Sequence, residues 1–321
     1  MTTLQRAPTR TVRTPIMDSA RWADFAVRPD DIVIATYSKS GTTWTQRIVD
    51  LLVFQDPSPR PVMQMSVWVD ARIFAPHEVN LANLEAQKHR RFVKSHLPFD
   101  ALPIYEGVKY IHVARDGRDA FMSWHNHLLG MTPEFKARAE TIAASDPALS
   151  HAPPLRDPPE DPRLFFQGWI AEAEVDPDPG VPHGLSYFDF EKTYWDERRR
   201  ENLLFVHYND LKADLAGEMR RISEFLEIDT PEDRLPALAA AAEFNAMKAD
   251  GAALLPGIEQ AFDRGADRFL NKGVNGRWRD VLTAEDLARY EAAARRKLSP
   301  SLASWLEHGR LAAGDPRRLP D

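Results

Sequence analysis

The chain contains no cysteine, which removes disulfides, thiolate zinc sites and cysteine nucleophiles together and leaves nothing that points to an oxidising compartment. No apolar run approaches the roughly 20 residues that a membrane-spanning helix requires, and the start of the chain lacks the apolar core of a secretory signal. Metal-ligand spacing of the H-E-x-x-H type is missing, as is any internal repeat at periods of about 20–50 residues. The first fifteen residues hold no acid; they carry Arg6, Arg10 and Arg13 among Thr and Pro, with no apolar face at helical spacing. Residues 1–20 are therefore expected to form a disordered tail. Basic charge is also in deficit: 41 Lys and Arg against 48 Asp and Glu give a formal net charge of −7. That balance disfavours nucleic acid as a main partner while leaving room for a local basic pocket. Together these absences describe a soluble, cytoplasmic protein with neither membrane nor nucleic acid as partner.

What is present suits a globular α/β chain: 321 residues, 43% of them hydrophobic. Short apolar strands are expected at Asp31–Ala35, around Phe92–Lys94, at Lys109–Ala114 and at Leu203–Tyr208, with helices following the first, third and fourth. Strands alternating with helices imply a central parallel sheet covered on both faces, a three-layer arrangement. Leu211, Leu215, Met219, Ile222 and Leu226 place one amphipathic helix after the last strand. Thr283 and Asp286 read as the capping pattern of a final helix with Leu287, Tyr290 and Leu298 buried. Residues 145–183 are Pro-rich and read as a long loop or lid carrying an apolar patch, Phe165, Phe166, Trp169 and Ile170, that docks on the core or lines a pocket. One domain over residues 21–321 accounts for these elements.

The most informative stretch runs from the first strand through Tyr37-Ser38-Lys39-Ser40-Gly41-Thr42-Thr43-Trp44 into a helix with Trp44, Ile48, Leu51 and Leu52 on its apolar side. Free N–H groups at a helix start, the positive end of its dipole and several hydroxyls make such a loop an anion cradle. The loop that wraps a triphosphate reads G-x-x-x-x-G-K-[ST], with Lys directly after the second Gly. Here Lys39 precedes Gly41 by two residues, and no Gly stands five or six residues upstream of Gly41, where Thr36 and Ala35 lie. The order is that of a different phosphate loop.

It resembles the 5′-phosphosulfate loop of the cytosolic-type sulfotransferases, Y-P-K-[SA]-G-T-[TN]-W, with Ser38 where that family usually has Pro. Members of that family take a sulfuryl group from 3′-phosphoadenosine 5′-phosphosulfate (PAPS) and release adenosine 3′,5′-bisphosphate. Three further segments follow in the family's order, so that the resemblance spans about residues 31–283. Lys94-Ser95-His96-Leu97-Pro98 resembles K-[TS]-H-L-P. Arg115 and Ser123 match a pair that the family uses on the 3′-phosphate, although an Arg tied to Asp116 or Asp119 at a helix start accounts for the same residues. Phe269-Leu270-Asn271-Lys272-Gly273-Val274-Asn275-Gly276-Arg277-Trp278 resembles F-x-R-K-G-x-x-G-D-W, with Asn271 in place of Arg and Arg277 in place of Asp. Arg277 is then a candidate to supply the charge that Asn271 lacks.

The resemblance implies a P-loop-type fold, PAPS as cofactor with no metal required, and transfer to a hydroxyl or, as second choice, an amine of a small acceptor. It assigns His96 as general base, Lys39 to the leaving group and Lys94 to the sulfate or acceptor side. It assigns Ser40, Gly41, Thr42, Thr43, Arg115, Ser123, Asn271, Lys272 and Gly273 to the phosphates, and Trp44, Tyr208, Phe244 and Met247 to the adenine side. Phe244 reads equally well as core. The aromatic set Trp68, Phe74, Phe165, Phe166 and Trp169 suggests an apolar or aromatic acceptor. His125 and His127, two apart on a helix, point to different sides and form no metal pair. Oligomeric state stays open, because the family's pairing segment K-x-x-x-T-V-x-x-x-E meets Arg279, Thr283, Ala284 and Ala288 here. A P-loop kinase or other nucleotide phosphotransferase is the alternative enzyme, and a non-catalytic nucleotide-binding protein the third reading.

Overall fold

Strands that carry apolar residues on both faces demand cover on both sides. Residues 2–150, 157–174 and 185–321 are described by the computed structural model. They include six strands: β1 (Leu4–Arg6), β2 (Ile32–Thr36), β3 (Phe92–Ser95), β4 (Ile104–Tyr105), β5 (Lys109–Ala114) and β6 (Leu203–His207). Four form one sheet in the order β3-β2-β5-β6, every neighbouring pair parallel, with Ile32 opposite Phe92 and Lys109. Successive side chains alternate between two cores. Val33, Ala35, Tyr110, Ala114, Leu203 and Phe205 face one, while Ile32, Ile34, Ile111, Val113, Leu204 and Val206 face the other. Helices α1 (Thr42–Phe54), Leu215–Phe225 and Leu235–Ala242 cover the second core. Helices Gly117–Leu129, Pro162–Glu174, Tyr187–Trp195, Ala284–Lys297 and Pro300–His308 cover the first. This is the expected three-layer architecture. In such sheets ligands bind beyond the carboxyl ends of the strands, which here deliver the Lys39 loop, His96, Arg115 and Tyr208 to one side.

The opposite strand ends are pinned by a buried ion pair. Asp31 accepts from Arg91 Nε at 2.8 Å and Nη2 at 2.5 Å and from the Arg28 backbone N–H at 2.8 Å, with both side chains essentially inaccessible. The pair ties the start of β2 to that of β3 and so fixes the register that brings Lys39 beside Lys94.

Three expectations need correction. The segment read as a tail is built into the fold: β1 pairs antiparallel with β4. Arg6, Arg10 and Arg13 donate to Glu197, Asp100 and Asp146 at 2.6–2.9 Å. Composition counted the arginines without knowing their carboxylates. Within the Pro-rich stretch, Pro162–Glu174 is a helix whose Phe166, Trp169 and Ile170 are buried, Phe166 packing on Phe121 at 5.1 Å; residues 151–156 and 175–184 of that expectation lie outside the described residues. The single helix after β6 is two, Tyr208–Ala213 and Leu215–Phe225, because the Asp214 side chain accepts from Gly217 N–H and starts a new helix. The Thr283–Asp286 capping box is formed as read.

Asp31→Ala leaves the Arg91 guanidinium buried without its partner. The expected loss is about 3–5 kcal/mol of unfolding free energy, measured by denaturant titration, against less than about 0.5 kcal/mol for the exposed control Glu232→Ala.

Candidate active site

The chain turns from β2 into α1 through a residue that backbone sterics disfavour. Lys39 has φ +68°, and Gly41, at φ +120°, supplies the helix start without a side-chain cap. A non-glycine residue held in the left-handed region is uncommon and concentrates at functional sites. Thr36 and Thr42 hydroxyls are 2.6 Å apart across the turn, so the cradle's shape is fixed from within. A Cβ on Gly41 would stand 3.2 Å from the Tyr208 ring, which closes the loop from β6.

A cavity of about 340 Å³ lies over these strand ends. Every residue assigned to catalysis or cofactor binding lines it except Ser40, which is fully buried beneath it. Of the proposed acceptor aromatics, Trp68 and Phe74 line the cavity; Phe165, Phe166 and Trp169 belong to the core instead.

His96 is fixed at one nitrogen. Its Nδ1 lies 2.9 Å from the Thr36 carbonyl, which only accepts, so Nδ1 carries the proton and Nε2 keeps its lone pair. The Trp68 ring stands edge-on to the imidazole at 4.9 Å, and its indole N–H donates to buried Asp70 at 2.6 Å. Lys94 Nζ sits 4.5 Å over the same indole face. Burial, then Lys94 and Lys39, push the His96 pKa down to about 3. Burial lowers Lys94 to about 8, with Asp70 opposing, and burial with Lys94 and Arg115 lowers Lys39 to about 7.

The far wall is a basic loop. Arg115 stacks over Tyr208 at 4.0 Å and donates to Asn275 Oδ1 at 2.6 Å and the Val274 carbonyl at 3.2 Å. It is therefore not tied to Asp116, which caps helix Gly117–Leu129 and pairs with Arg118. Gly276 N–H donates to Asp119 at 2.7 Å, and Lys212 donates to the Gly273 carbonyl. Gly273 has φ +63° and packs so close to Phe244 that a Cβ would fall 2.5 Å from its ring. Phe244 is half-buried and belongs to none of the hydrophobic cores; it lines the cavity and buttresses the loop. Trp44 is held by its indole N–H on the Ala242 carbonyl at 2.7 Å. Arg277 also lines the cavity, its pKa lowered by burial and by Arg115.

Three polar atoms at this cradle are buried without a hydrogen-bond partner among the described residues: Ser40 Oγ, Arg115 Nε and Arg277 Nε. The described lining residues include five cations, Lys39, Lys94, Arg115, Lys272 and Arg277, and no carboxylate. A polyanion satisfies both conditions.

Sequence reasoning passed over one residue. His127 lines the cavity and its Nδ1 lies 3.2 Å from Lys39 Nζ. It stands four residues after Ser123, on the same helical face as an assigned phosphate ligand, and that spacing was the available signal.

A family model described as a sulfotransferase domain matches residues 29–301. The chain is 35% identical over 318 residues to a glycolipid sulfotransferase of Mycobacterium tuberculosis, covering 93% of this chain and 94% of that one. It is 27% identical over 286 residues to sulfotransferase 1 family member D1 of Rattus norvegicus, covering 86% of each. Among solved structures, a mouse sulfotransferase complexed with PAP superposes with a TM-score of 0.64 at 19% identity, over 89% of this chain and 91% of that one. Retinol dehydratase in complex with retinol and PAP gives 0.67 at 22% identity, over 88% and 87%. At these identities the structures establish a common fold.

Competitive acylation followed by mass spectrometry checks the electrostatics. Lys39 and Lys94 are expected to reach half-maximal reactivity near pH 7 and 8, well below the pH of about 10 at which an ordinary solvated lysine loses its charge. Because the free amines are neutral above those values, the cavity loses positive charge, and anion affinity, as pH rises through 7–8.

Proposed function

The chain belongs to the sulfotransferase family, and on that premise we propose that it moves a sulfuryl group from PAPS to a hydroxyl of an apolar acceptor with His96 as base. The observation that carries this reading is the convergence of five cations and three unpartnered buried donors on a cavity without a carboxylate. These donors fit a ligand with two phosphate groups. Ser40, Thr42, Thr43 and the backbone of Gly41 would hold the 5′ end. Arg115, Ser123, Lys272 and Gly273 would hold the 3′-phosphate, and Trp44, Tyr208, Phe244 and Met247 the base. Arg277 would replace the charge missing at Asn271. PAPS, when bound, supplies the sulfuryl group and leaves as adenosine 3′,5′-bisphosphate.

His96 takes the acceptor's proton at Nε2, while its Nδ1–H remains on the Thr36 carbonyl and keeps the tautomer. An imidazole with a pKa of about 3 is a weak base. Burial is the main cause of the low value and the two lysines add to it; an anionic ligand neutralises those lysines, so occupancy of the cradle removes their part of the depression and raises the pKa. Lys39 and Lys94 offer fixed positive charge where negative charge develops on the leaving and transferring oxygens.

The lining charge also separates the two acceptor classes. A cavity with no carboxylate gives an ammonium no partner, which favours a hydroxyl over an amine. Trp68, Phe74, Phe135 and Phe262 supply an apolar wall, and a glycolipid sulfotransferase at 35% identity supports a hydroxyl borne on a large amphiphile. Family membership sets aside the phosphotransferase and the non-catalytic reading.

His96→Ala is expected to abolish transfer of labelled sulfuryl from PAPS while nucleotide affinity stays within about threefold of wild type. Lys39→Ala is expected to cost about 3–4 kcal/mol in the transfer step. Arg277→Ala should weaken adenosine 3′,5′-bisphosphate by about tenfold and leave 5′-AMP unchanged. Full turnover by His96→Ala would overturn the base assignment.

A further inference from the structure

Lys39 lies in the cavity without a carboxylate. Its neighbours are Lys94 and Arg115, both repulsive, the face of Phe269 at 4.5 Å, and His127 Nδ1 at 3.2 Å, its one hydrogen-bond partner among the described residues. A flexible four-carbon stem pushed by two cations needs a restraint to keep its ammonium in one place. A carboxylate would hold it but cancel its charge, whereas a neutral imidazole holds it and leaves the charge intact.

His127 is built for that part. Trp124 stacks on its ring at 5.3 Å, and Phe262 and Phe269 pack against it at 4.5 and 5.7 Å. Burial, with Lys39, Lys94 and His96 nearby, holds it neutral. A neutral imidazole that accepts at Nδ1 carries its proton on Nε2. An ammonium has three N–H groups, so one spent on His127 leaves two for an anion.

We propose that His127 is the positioning residue for Lys39: its Nδ1 lone pair anchors one N–H of the ammonium and aims the other two at the sulfuryl-bearing anion. The proposal rests on the sulfuryl-transfer reading above. It makes the position of one ring atom decisive, which distinguishes it from a packing role. Asparagine places its amide oxygen where Nδ1 stands, while glutamine places it nearer Nε2 and phenylalanine offers no lone pair.

The test compares wild type with His127→Asn, His127→Gln and His127→Phe by calorimetric titration with adenosine 3′,5′-bisphosphate at pH 7, in two buffers of different ionisation enthalpy. No acceptor is needed. Lys39 is faced by Lys94 from β3, Arg115 from the end of β5, and His127 and His96, and its charge is restored when the anion enters. Loss of the lone pair leaves Lys39 neutral in more of the free molecules, so proton uptake on binding rises. His127→Asn is expected to match wild type. His127→Gln and His127→Phe are expected to bind about tenfold more weakly and to take up about 0.3–0.5 more proton per nucleotide. Turnover with 2-naphthol as probe should fall in kcat for the same two variants, with the acceptor KM unchanged.

Equal binding and proton uptake by wild type and His127→Phe overturn the proposal, as does rescue by Gln equal to that by Asn. A loss confined to acceptor KM would make His127 a wall of the acceptor site instead. Wild type that fails to bind the bisphosphate overturns the sulfuryl-transfer reading itself. Wild type that binds beside an unaffected His127→Phe variant overturns the His127 assignment alone.

Discussion

Like charges held together in a place of low dielectric repel one another strongly, and the cavity described here holds Lys39, Lys94, Arg115 and Arg277 with no carboxylate among its described lining. The rest of the molecule supports that arrangement. Lys94 lies on β3 and Lys39 in the loop that follows its parallel neighbour β2, so the sheet brings their backbones side by side. The other two are stacked or pinned: Arg115 on Tyr208, the Arg277 loop through Asp119 and Lys212. Burial is the main cause of the lowered pKa values of Lys39, Lys94 and His96, and neighbouring cations add to it at Lys39 and His96. They also give the site its logic, since a polyanion relieves the strain on the cations and restores basicity to the imidazole in the same event.

The supports that touch the site are neutral. His96 is oriented by a backbone carbonyl, Lys94 by an indole face, and Lys39 by an imidazole and a phenyl ring. Of the buried carboxylates close by, Asp70 acts through the Trp68 indole and Asp119 through the Gly276 N–H, and neither is in the cavity lining. Neutral positioning keeps the positive charge available to the ligand, while paired charges such as Asp31–Arg91 sit at the far end of the sheet, where they serve register.

What could be read from the sequence was local. The Tyr37–Trp44 loop, the Lys94–Pro98 segment and the Lys272–Gly276 loop each carry their chemistry in a few consecutive residues, and the structure gathers them around one cavity. The parallel sheet was legible because its strands carry apolar residues on both faces. What failed was long-range. Arg6 finds Glu197 across 191 positions, so the beginning of the chain looked like a tail. The aromatics Phe165, Phe166 and Trp169 looked like a pocket because hydrophobicity does not distinguish a wall from a core. The spacing of His127 from His125 says only that the two point apart; its relation to Ser123 one helical turn earlier is what places it at the site.

The central claim is that the cradle is shaped for a nucleotide bearing phosphates at both 5′ and 3′ positions. Isothermal titration of the wild-type protein with adenosine 3′,5′-bisphosphate, 5′-AMP and Mg-ATP tests it most directly. The expected result is binding of the bisphosphate at least about 100-fold tighter than 5′-AMP, the work of Arg115 and its neighbours on the second phosphate. Equal affinity for 5′-AMP and the bisphosphate, or a preference for Mg-ATP, would contradict the account.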